Sequence, residues 1–410
     1  MFTALKLRVL AAAAVLLASC LVKAQDFRYS VTVIDPLPGH AYVSTNAINN
    51  HGDVVGVSYG SPINNQAPYI YRPGIGVQSL PFPPGNAFSV PTDINDDGVI
   101  VGYAQPTWSA EQSMIAWKLQ NGQFTLYPGI SFGNNINNNG MIVGRACLSG
   151  TQLTCYFQAA PGGVMQMFGA SNFYSSTQWR LVDINDYGQI VYTAPSPGLA
   201  QFRAPDGTLT PLPPPTPPYV RTFSWAINNA SQVIARWEYN AGSQYFSQAF
   251  IWRPQSSAQI VGIPNLHVRP KGLNNLGHVV GESGSNENSF LDMWLWTPQH
   301  ANEDLDPLID PALQIVTTGV SGINDRGQII AVGVRQVPPV ASIQFVLTPV
   351  APGDVDGDID ADLADWAGIV ACMSGPSVPF DSGCASADLQ LDNDVDLRDA
   401  ALFQQDFTGP

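Results

Sequence analysis

The sequence predicts an all-β fold, a seven-bladed β-propeller of four-stranded blades closed by the N-terminal strand, followed by a small α-helical C-terminal domain. A hairpin motif recurs seven times, at intervals of 46, 42, 48, 43, 46 and 50 residues. An aromatic pattern recurs between the hairpins, and the two ends of the repeat region complement each other. Only 12% of residues are charged, while 37 Gly and 34 Pro punctuate the chain, as in a turn-dense β protein.

The hairpin motif consists of an apolar residue, Asn, a second Asn or Asp, a variable residue and Gly, followed by a β-branched run. Its copies occupy residues 48–52, 94–98, 136–140, 184–188, 227–231, 273–277 and 323–327. Asn and Gly tolerate positive φ, and Asn or Asp side chains bond the backbone two residues on, so each copy predicts a tight turn between strands. The competing interpretation makes these side chains a ring of metal or ligand sites. Copy five carries Ser231 in place of Gly.

The second pattern alternates aromatic or β-branched residues with polar ones, which is typical of half-buried strands. It contains Tyr69, Trp117, Phe157, Phe202, Phe250, Trp294 and Phe345. In several copies a tight turn such as Asn121-Gly122 leads to a fourth strand that contains Leu. Four short strands per period are the content of one propeller blade, so seven periods predict seven blades. A β-solenoid is the main competing architecture, but its coils repeat at shorter periods.

The ends of the repeat region predict how the ring closes. The last copy, residues 323–349, lacks the Leu strand, and an unpartnered strand at residues 29–35 precedes the first hairpin. If that strand completes the seventh blade, the propeller has no orphan edge.

The repeat region resembles a known group of sequences. Gln248-Ala249-Phe250-Ile251-Trp252, followed by the Ile-Asn hairpin motif, is similar to bacterial extracellular HAF-type repeats, which are named for a His-Ala-Phe triplet. The resemblance covers roughly residues 29–350, with Gln248 in place of the His. It implies export and a repeat fold, and it implies no established activity.

The N-terminus predicts export. Lys6 and Arg8 precede an apolar run, and Ala24 ends a small-residue cleavage site, so residues 1–24 read as a signal peptide. A lipoprotein signal is the alternative, because residues 17–20 resemble a lipobox in which Cys20 is acylated. Both place the mature protein outside the cytosol, extracellular or at the cell surface. Only the lipoprotein alternative attaches it to a membrane, through the lipid on Cys20. The predicted domains are the signal peptide, a propeller at 27–350 and a tail at 351–410.

Four further cysteines form two short-range pairs, Cys147 with Cys155 and Cys372 with Cys384. Outside the cytosol, each pair predicts a local disulfide rather than a metal site. Loops this short contribute on the order of 2.5–3 kcal/mol each in the chain-entropy model.

The negative charge is concentrated in the tail. The chain carries a formal charge of −15, and residues 354–410 hold 13 Asp and one Arg, so this segment contributes −13 + 1 = −12. Such a balance argues against binding of nucleic acid or anionic lipid.

The tail contains two twelve-residue segments with the spacing of calcium loops. Oxygen donors recur at alternate positions and at position 12, and each loop runs into an apolar stretch of helical period, so we expect two Ca²⁺ sites. The second loop matches the pattern better, because the first has Ile359 where the loop turns on Gly. A disordered acidic tail is the alternative. The expected ligands are Asp354, Asp356, Asp358, Asp360, Asp362 and Asp365 in the first loop, and Asp388, Gln390, Asp392, Asp394, Asp396 and Asp399 in the second.

Two such loops, each with Asp at position 12 and one following helix, resemble a type I dockerin, an EF-hand-like module. The resemblance implies docking onto a cohesin-like receptor through loop positions 10 and 11. Those positions are Leu363-Ala364 and Leu397-Arg398 rather than the usual hydroxyl residues, so another surface or secretion partner is an equal alternative.

The sequence contains no catalytic signature: HExxH, a phosphate loop, CxxC and a GxSxG elbow do not occur. Two hypotheses remain. The first is a non-catalytic binding or scaffold propeller with a calcium-stabilised docking tail and a protein or polysaccharide partner at the cell surface. The second is an extracellular carbohydrate-active enzyme, a glycosidase or lyase, with the propeller as its catalytic module.

Overall fold

A computed structural model describes the three-dimensional structure of the chain. The described residues are 29–410 except for 62–64, 108–113, 128–129, 148–153, 163–164, 172–181, 195–199, 215–220, 242–243, 264–265, 287–288, 299–300, 339, 351–362, 379–383, 385–386, 388, 390–393 and 407–410. The chain divides into two compact units, one consisting of Tyr29–Pro349 and the other including Val350–Pro410. The signal peptide predicted at residues 1–24 lies outside the described residues.

Tyr29–Pro349 form a β-propeller of seven four-stranded antiparallel blades, as the repeats predict. Blades 1 to 3 contain β2 (Tyr42–Ile48), β3 (Val54–Tyr59), β4 (Gln66–Arg72), β5 (Gly76–Ser79), β6 (Phe88–Ile94), β7 (Ile100–Gln105), β8 (Ile115–Gln120), β9 (Gln123–Tyr127), β10 (Ile130–Ile136), β11 (Ile142–Cys147), β12 (Thr154–Ala159) and β13 (Gln166–Ser171). Blades 4 to 6 contain β14 (Val182–Ile184), β15 (Ile190–Thr193), β16 (Ala200–Arg203), β17 (Leu209–Pro211), β18 (Arg221–Ile227), β19 (Val233–Ala241), β20 (Gln244–Trp252), β21 (Gln259–Val261), β22 (His267–Leu273), β23 (Val279–Asn286), β24 (Ser289–Thr297) and β25 (Ala301–Asp304). Blade 7 contains β26 (Ile315–Ile323), β27 (Ile329–Arg335), β28 (Ala341–Pro349) and β1 (Tyr29–Ile34).

The N-terminal strand closes the ring. In blade 7 the strand order is β26-β27-β28-β1, and Tyr29 to Ile34 of β1 pair antiparallel with Pro349 to Gln344 of β28. Ile34 is 2% exposed and packs with Val346 of β28 and with Val54 of blade 1. The predicted closure is therefore confirmed, and the two ends of the repeat region are held together by one sheet.

An aromatic side chain in the third strand of each blade explains the recurring Val-Val-Gly sequence. These seven aromatic residues are buried and pair in register with a residue of the second strand, which is Gly in four blades. In β7, a Cβ on Gly102 would collide with the carbonyl oxygen of Val90 and with the Trp117 ring. Only Gly fits at this position, because the aromatic ring of the third strand leaves no room for a side chain. The seven aromatic residues are Tyr69, Trp117, Phe157, Phe202, Phe250, Trp294 and Phe345.

The second unit has a small core of its own. Helices α1 (Leu363–Cys372) and α2 (Leu397–Asp406) contribute Ile369 and Phe403, which pack with Ala387 and Val395. Cys372 is disulfide-bonded to Cys384, which confirms that predicted pair. Both helices lie on stretches that the sequence predicts as helical, while the paired-loop EF-hand or dockerin arrangement stays a prediction. Among the described residues, no helix is both long and apolar enough to cross a membrane.

For the other predicted disulfide, the Cys147 side chain and the connecting residues 148–153 lie outside what the structure describes. Cys155 is buried in β12, and the register of β11 with β12 places it opposite Ala146, with Cys147 opposite Thr154. The two cysteines thus lie on neighbouring strands, but each is one residue away from the position opposite the other. Their disulfide stays a prediction.

Candidate functional site

The first Asn of every hairpin builds a closed ring of hydrogen bonds around the propeller axis. Its side-chain oxygen accepts the N–H four residues on, in all seven copies, at 2.8 to 3.0 Å. Its side-chain nitrogen donates to the backbone carbonyl of the equivalent Asn in the next blade, at 2.8 to 3.1 Å. The last of these bonds runs from Asn324 to Asn49 and completes the circle. The residues are Asn49, Asn95, Asn137, Asn185, Asn228, Asn274 and Asn324, and all are buried.

The next residue of each hairpin forms a second ring. Its backbone N–H donates to the side-chain Oδ1 of the equivalent residue in the following blade, at 2.7 to 2.9 Å, seven times in succession. Amide nitrogens also donate to neighbouring carboxylates, as from Asn50 to both Asp96 and Asp325. These polar atoms are therefore engaged in joining the blades, which favours the turn interpretation over a ring of metal ligands. The ring consists of Asn50, Asp96, Asn138, Asp186, Asn229, Asn275 and Asp325.

An aliphatic residue precedes the first Asn of the hairpin in every blade. The residue before each first Asn is Ile or Leu, namely Ile48, Ile94, Ile136, Ile184, Ile227, Leu273 and Ile323. These residues and the two polar rings line a cavity of about 170 Å³. A larger cavity of about 530 Å³, which we call the chamber, shares Ile48, Leu273 and Ile323 with the first, and all seven innermost strands contribute to its wall.

β-Bulges in the innermost strands direct several side chains into the chamber wall. In six blades the register of the innermost strand slips by one residue before the hairpin, for example between Ser224 and Ala226 in blade 5. The extra residue of a bulge is left out of the ladder and its side chain is redirected. In five of these blades a single residue next to the hairpin is skipped, and these residues all line the chamber: Asn46, Thr92, Trp225, Lys271 and Ser321.

Two carboxylates, Asp93 and Asp183, face the chamber from blades 2 and 4. Asp93 accepts the N–H of Ile136 at 2.8 Å and that of Ile94 at 2.9 Å. Asp183 accepts Nδ2 of Asn135 at 2.8 Å and the N–H of Ile227 at 2.8 Å. Both carboxylates therefore contact adjacent residues of β10, one on each side of blade 3.

Burial weakens the acidity of both groups. It raises the pKa of Asp93 to about 7, with a smaller contribution from the charge of Asp183, while the N–H donors oppose the rise. The pKa of Asp183 is also raised by burial, against the lowering effect of its hydrogen bonds. Burial likewise raises the pKa of Tyr103 in the same wall to about 12, so its hydroxyl retains its proton near neutral pH.

Cations and one indole ring complete the chamber wall. Arg145 projects from β11, and Lys271 forms an ion pair with Glu282 at 3.0 Å. The Trp225 ring lies 5.8 Å from the guanidinium of Arg236, which is itself ion-paired with Glu238. The chamber thus offers hydrogen-bonding groups of both kinds around its circumference and one supported aromatic surface.

In the second unit, three of the predicted calcium ligands converge. Asp394, Asp396 and Asp399 are buried, and one oxygen of each lies within 4.8 Å of the others. The Asp399 carboxylate accepts the N–H groups of Leu389 and Asp396, both at 2.8 Å, which folds the loop around it. Asp365 of the first loop is also buried. The remaining predicted ligands, Asp354, Asp356, Asp358, Asp360, Asp362, Asp388, Gln390 and Asp392, lie outside the described residues.

Sequence reasoning did not identify the chamber residues. Trp225, Lys271 and Arg145 belong to no local motif. A signal was nevertheless present: the two residues that stand two and three positions before the first Asn differ among the copies, whereas the hairpin itself is nearly constant. Such variation within a regular repeat marks positions that the repeat fold does not require.

Comparisons with known proteins extend the fold assignment only. No protein-family model and no curated protein matches the sequence. Among solved structures, the β-propeller domain of the Trilobed protease from Pyrococcus furiosus is 11% identical, with 75% of this chain and 93% of that one covered and a TM-score of 0.51. Virginiamycin B lyase from Staphylococcus aureus is 12% identical over 79% and 99% of the two chains, with a TM-score of 0.47. The fold thus defines the class of this protein as a β-propeller.

Proposed function

We propose that this protein is an exported, non-catalytic binding protein that holds part of a partner in the chamber of its propeller, with a calcium-stabilised tail. The observation that carries the proposal is the chamber itself. A volume of about 530 Å³ falls within the roughly 300–1,000 Å³ of ligand sites. Its wall combines Trp225 with Asp93, Asp183 and Arg145. The disulfide between Cys372 and Cys384 is consistent with export, because disulfides persist in compartments outside the cytosol.

The alternative is a carbohydrate-active enzyme that uses the chamber as its active site. Asp93 favours it, because a carboxyl group with a pKa of about 7 can act as a general acid near neutral pH. The hydrogen bonds oppose it. Asp93 accepts the N–H of Ile136 in the next blade and the N–H of its own neighbour Ile94. Both oxygens of Asp183 accept N–H groups of the adjacent blades. These carboxylates serve the ring, so binding is the better-supported function.

A chamber-filling variant tests the proposal. Ser321 occupies in blade 7 the bulge position that Trp225 occupies in blade 5, so Ser321→Trp places an indole in the chamber at a position where the fold accepts one. Full-length protein would be screened by thermal shift with neutral and charged oligosaccharides and with peptides, because a ligand bound only by the folded form raises the melting temperature. At least one probe should stabilise the wild type and leave Ser321→Trp unchanged.

The control is Tyr187→Ala at the exposed tip of a hairpin, where the ring is 67% exposed. It should respond to the probe as the wild type does. Equal stabilisation of the wild type and Ser321→Trp, or no response to any probe, would refute binding in the chamber. Release of new reducing ends from a polysaccharide, abolished by Asp183→Asn, would favour the enzyme instead.

We infer that Asp394, Asp396 and Asp399 bind Ca²⁺ together with the other acidic residues of the second loop. Three buried carboxylates within 4.8 Å repel one another, and a hard cation held by oxygen ligands offsets that repulsion. Asp396 also caps α2, because its Oδ1 accepts the N–H of Arg398. By its spacing the first loop would bind a second Ca²⁺, with Asp365 at position 12.

Calorimetric titration of full-length protein with Ca²⁺, after treatment with EDTA, tests this inference. Asp396→Asn keeps an N-cap but loses a charged ligand, so it should weaken Ca²⁺ binding in one site by about tenfold or more. Asp97→Asn, which removes an exposed carboxylate of a hairpin tip, should bind Ca²⁺ as the wild type does. Wild-type protein that takes up no Ca²⁺, or Asp396→Asn that binds it unchanged, would contradict the assignment.

A further inference from the structure

The seven hairpins each present one exposed residue on the same face of the propeller. In every copy the N–H of the first Asn donates to the carbonyl four residues on, and the N–H of the turn Gly, or of Ser231 in blade 5, donates back to the carbonyl of the first Asn. The seven turns therefore share one conformation. The third residue of each motif, which we call the tip residue, takes an equivalent place around the axis and is exposed in all seven blades.

The tip residues separate into an apolar and a polar half. Tyr187, Ala230 and Leu276 are the tip residues of three consecutive blades, 4 to 6, and Tyr187 and Leu276 are 67% and 59% exposed. The turn does not require apolar residues there, since polar ones form the same turn in the other blades. Exposed apolar side chains that lie side by side mark an interaction surface. The polar half consists of Arg326, His51, Asp97 and Asn139, in blades 7, 1, 2 and 3.

A second copy of the chain complements the apolar half. When two copies face each other tip to tip, a two-fold axis through blade 5 places blade 4 opposite blade 6, blade 3 opposite blade 7 and blade 1 opposite blade 2. Tyr187 then meets Leu276 of the other copy, and Ala230 meets its own equivalent on the axis. The small Ala side chain at the centre allows the two faces to approach closely. No other two-fold axis through a blade pairs all three apolar residues with one another.

The polar half matches under the same axis, although it did not enter the choice of that axis. Asp97 lies opposite His51, whose imidazole donates to carboxylates. Asn139 lies opposite Arg326. The Nδ2 of Asn139 donates to the carbonyl of Asp186, so its Oδ1 is the acceptor that it offers to the guanidinium of Arg326. No two like charges meet among the tip residues, and this electrostatic complementarity favours the pairing of identical faces.

The second polar ring gives an independent check, because its carboxylates lie directly beneath the tip residues. The axis through blade 5 places every Asp of this ring opposite an Asn: Asp96 opposite Asn50, Asp186 opposite Asn275 and Asp325 opposite Asn138. Of the seven axes that pass through a blade, only those through blades 5 and 6 avoid apposing two carboxylates. The axis through blade 6 would place Ala230 opposite Arg326 and Tyr187 opposite His51. Blade 5 alone satisfies both circles of residues.

We propose that the tip face is a self-association surface, on which a second copy of this chain docks about a two-fold axis through blade 5. The chamber lies on the other side of the polar rings, because its wall residues precede the first Asn in each innermost strand. Pairing therefore leaves the chamber of each copy on the outer side of the dimer, which makes the dimer bivalent. The contact is limited to the tips and the turns beside them, so the dimer is of the small, transient class.

Sedimentation velocity of full-length protein between about 5 and 500 µM tests this inference, since transient dimers dissociate within such a range. The wild type should show a reversible monomer–dimer equilibrium. Leu276→Asp places a carboxylate opposite Tyr187 and should weaken association at least about tenfold. Val340→Asp is the matched control, because it changes an aliphatic residue that is 67% exposed in the turn between β27 and β28, at the opposite end of the strands. It should associate as the wild type does.

Two further variants test the two-fold axis itself. His51→Asp places two carboxylates opposite each other and should weaken the dimer, and adding Asp97→His should restore it by exchanging the two partners. Ala230→Cys places two thiols on the axis, so mild oxidation with oxidised glutathione should link the two copies. Asp97→Cys, which lies opposite His51, should form no such dimer.

A protein that is monomeric at every concentration, or a dimer that Leu276→Asp leaves unchanged, would overturn the self-association surface. A dimer sensitive to Leu276→Asp that Ala230→Cys does not cross-link, and that the exchanged pair at positions 51 and 97 does not restore, would overturn the axis through blade 5.

Discussion

At the scale of single residues, one Asn in each repeat does more than form a turn. Asn137, for example, accepts the N–H of Met141 within its own hairpin and donates to the carbonyl of Asn185 in the next blade. A Gly or Asp at the same position would supply the turn conformation without this donor. The bond to the Asn185 carbonyl is buried and that to the Met141 N–H is partly buried, so both groups would lose a partner if the amide were lost.

Asn137→Ala should therefore lower the free energy of unfolding by roughly 2–3 kcal/mol, since one buried carbonyl and one partly buried N–H lose their partners. Urea denaturation followed by tryptophan fluorescence measures it. Asp97→Ala, at an exposed position in the preceding hairpin, should change stability by less than about 0.5 kcal/mol. Similar losses in the two variants would show that the amide ring contributes no stability of its own.

Asp93 predicts a pH dependence of stability. Its pKa is raised by burial from an ordinary value of 3.8 to about 7, so its contribution to stability is fully present below pH 4 and is lost as pH rises through 7. Asp93→Asn removes this dependence. The free energy of unfolding of Asp93→Asn minus that of the wild type should therefore be more positive at pH 8 than at pH 5, which means that the variant gains stability relative to the wild type. Asp97→Asn is the control, and an identical difference at both pH values would exclude the raised pKa.

At the scale of elements, two glycines of one hairpin have different physical roles. Gly98 has a φ of 71° with open space around its Cα, so only the backbone conformation requires it. Gly102 lies in β7, where a side chain would collide with Val90 and Trp117. The turn and the strand that follows it thus impose separate requirements on residues four positions apart.

These roles predict different responses to Ala. Gly98→Ala should cost about 1–2 kcal/mol, the penalty for a left-handed residue with a Cβ. Gly102→Ala should cost about 3 kcal/mol, because the strand or the indole must move. Trp117→Leu frees space beside Gly102. Combined with Gly102→Ala, it should recover part of the stability that Gly102→Ala loses. Combined with Gly98→Ala, it should recover none. Chemical denaturation of the wild type, the three single variants including Trp117→Leu, and the two double variants distinguishes strain from overpacking, because recovery is measured relative to Trp117→Leu alone.

At the scale of the whole molecule, closure of the ring depends on β1. This strand joins blade 7 from the opposite end of the repeat region, and its inward residue Ile34 packs with Val54 and Val346, which belong to the first and last blades. The two hydrogen-bonded rings also close between Asn324 or Asp325 and blade 1. Sheet pairing at the periphery and hydrogen bonding at the axis thus fasten the same pair of blades.

Ile34→Asp should open this closure, because it buries a charge without a partner and removes aliphatic packing, at a cost of about 4 kcal/mol or more. Thr32→Asp, exposed on the same strand, should have little effect. Melting temperature and radius of gyration from X-ray scattering are the measurements. If the two variants melt together and have equal radii, β1 does not close the ring.

The periodic pattern was enough to predict much of this molecule. Blade number, the position of each hairpin and closure by residues 29–35 follow from local turn chemistry and strand alternation, which every copy encodes independently. The disulfide between Cys372 and Cys384 also followed from sequence separation alone. Loop spacing selected Asp394, Asp396 and Asp399 as expected calcium ligands, and the three carboxylates lie close together in the structure.

The chamber could not be derived in the same way. The sequence alone determined that seven similar units form a ring, because each unit carries its own turn, strands and aromatic residue. Only the tertiary structure decided that Asp93, Asp183, Arg145, Lys271 and Trp225 share one cavity. They come from five different blades and from positions at which the repeats differ, so no local pattern relates them. Ring closure brings them together, since it places equivalent positions of distant repeats in one layer around a common axis.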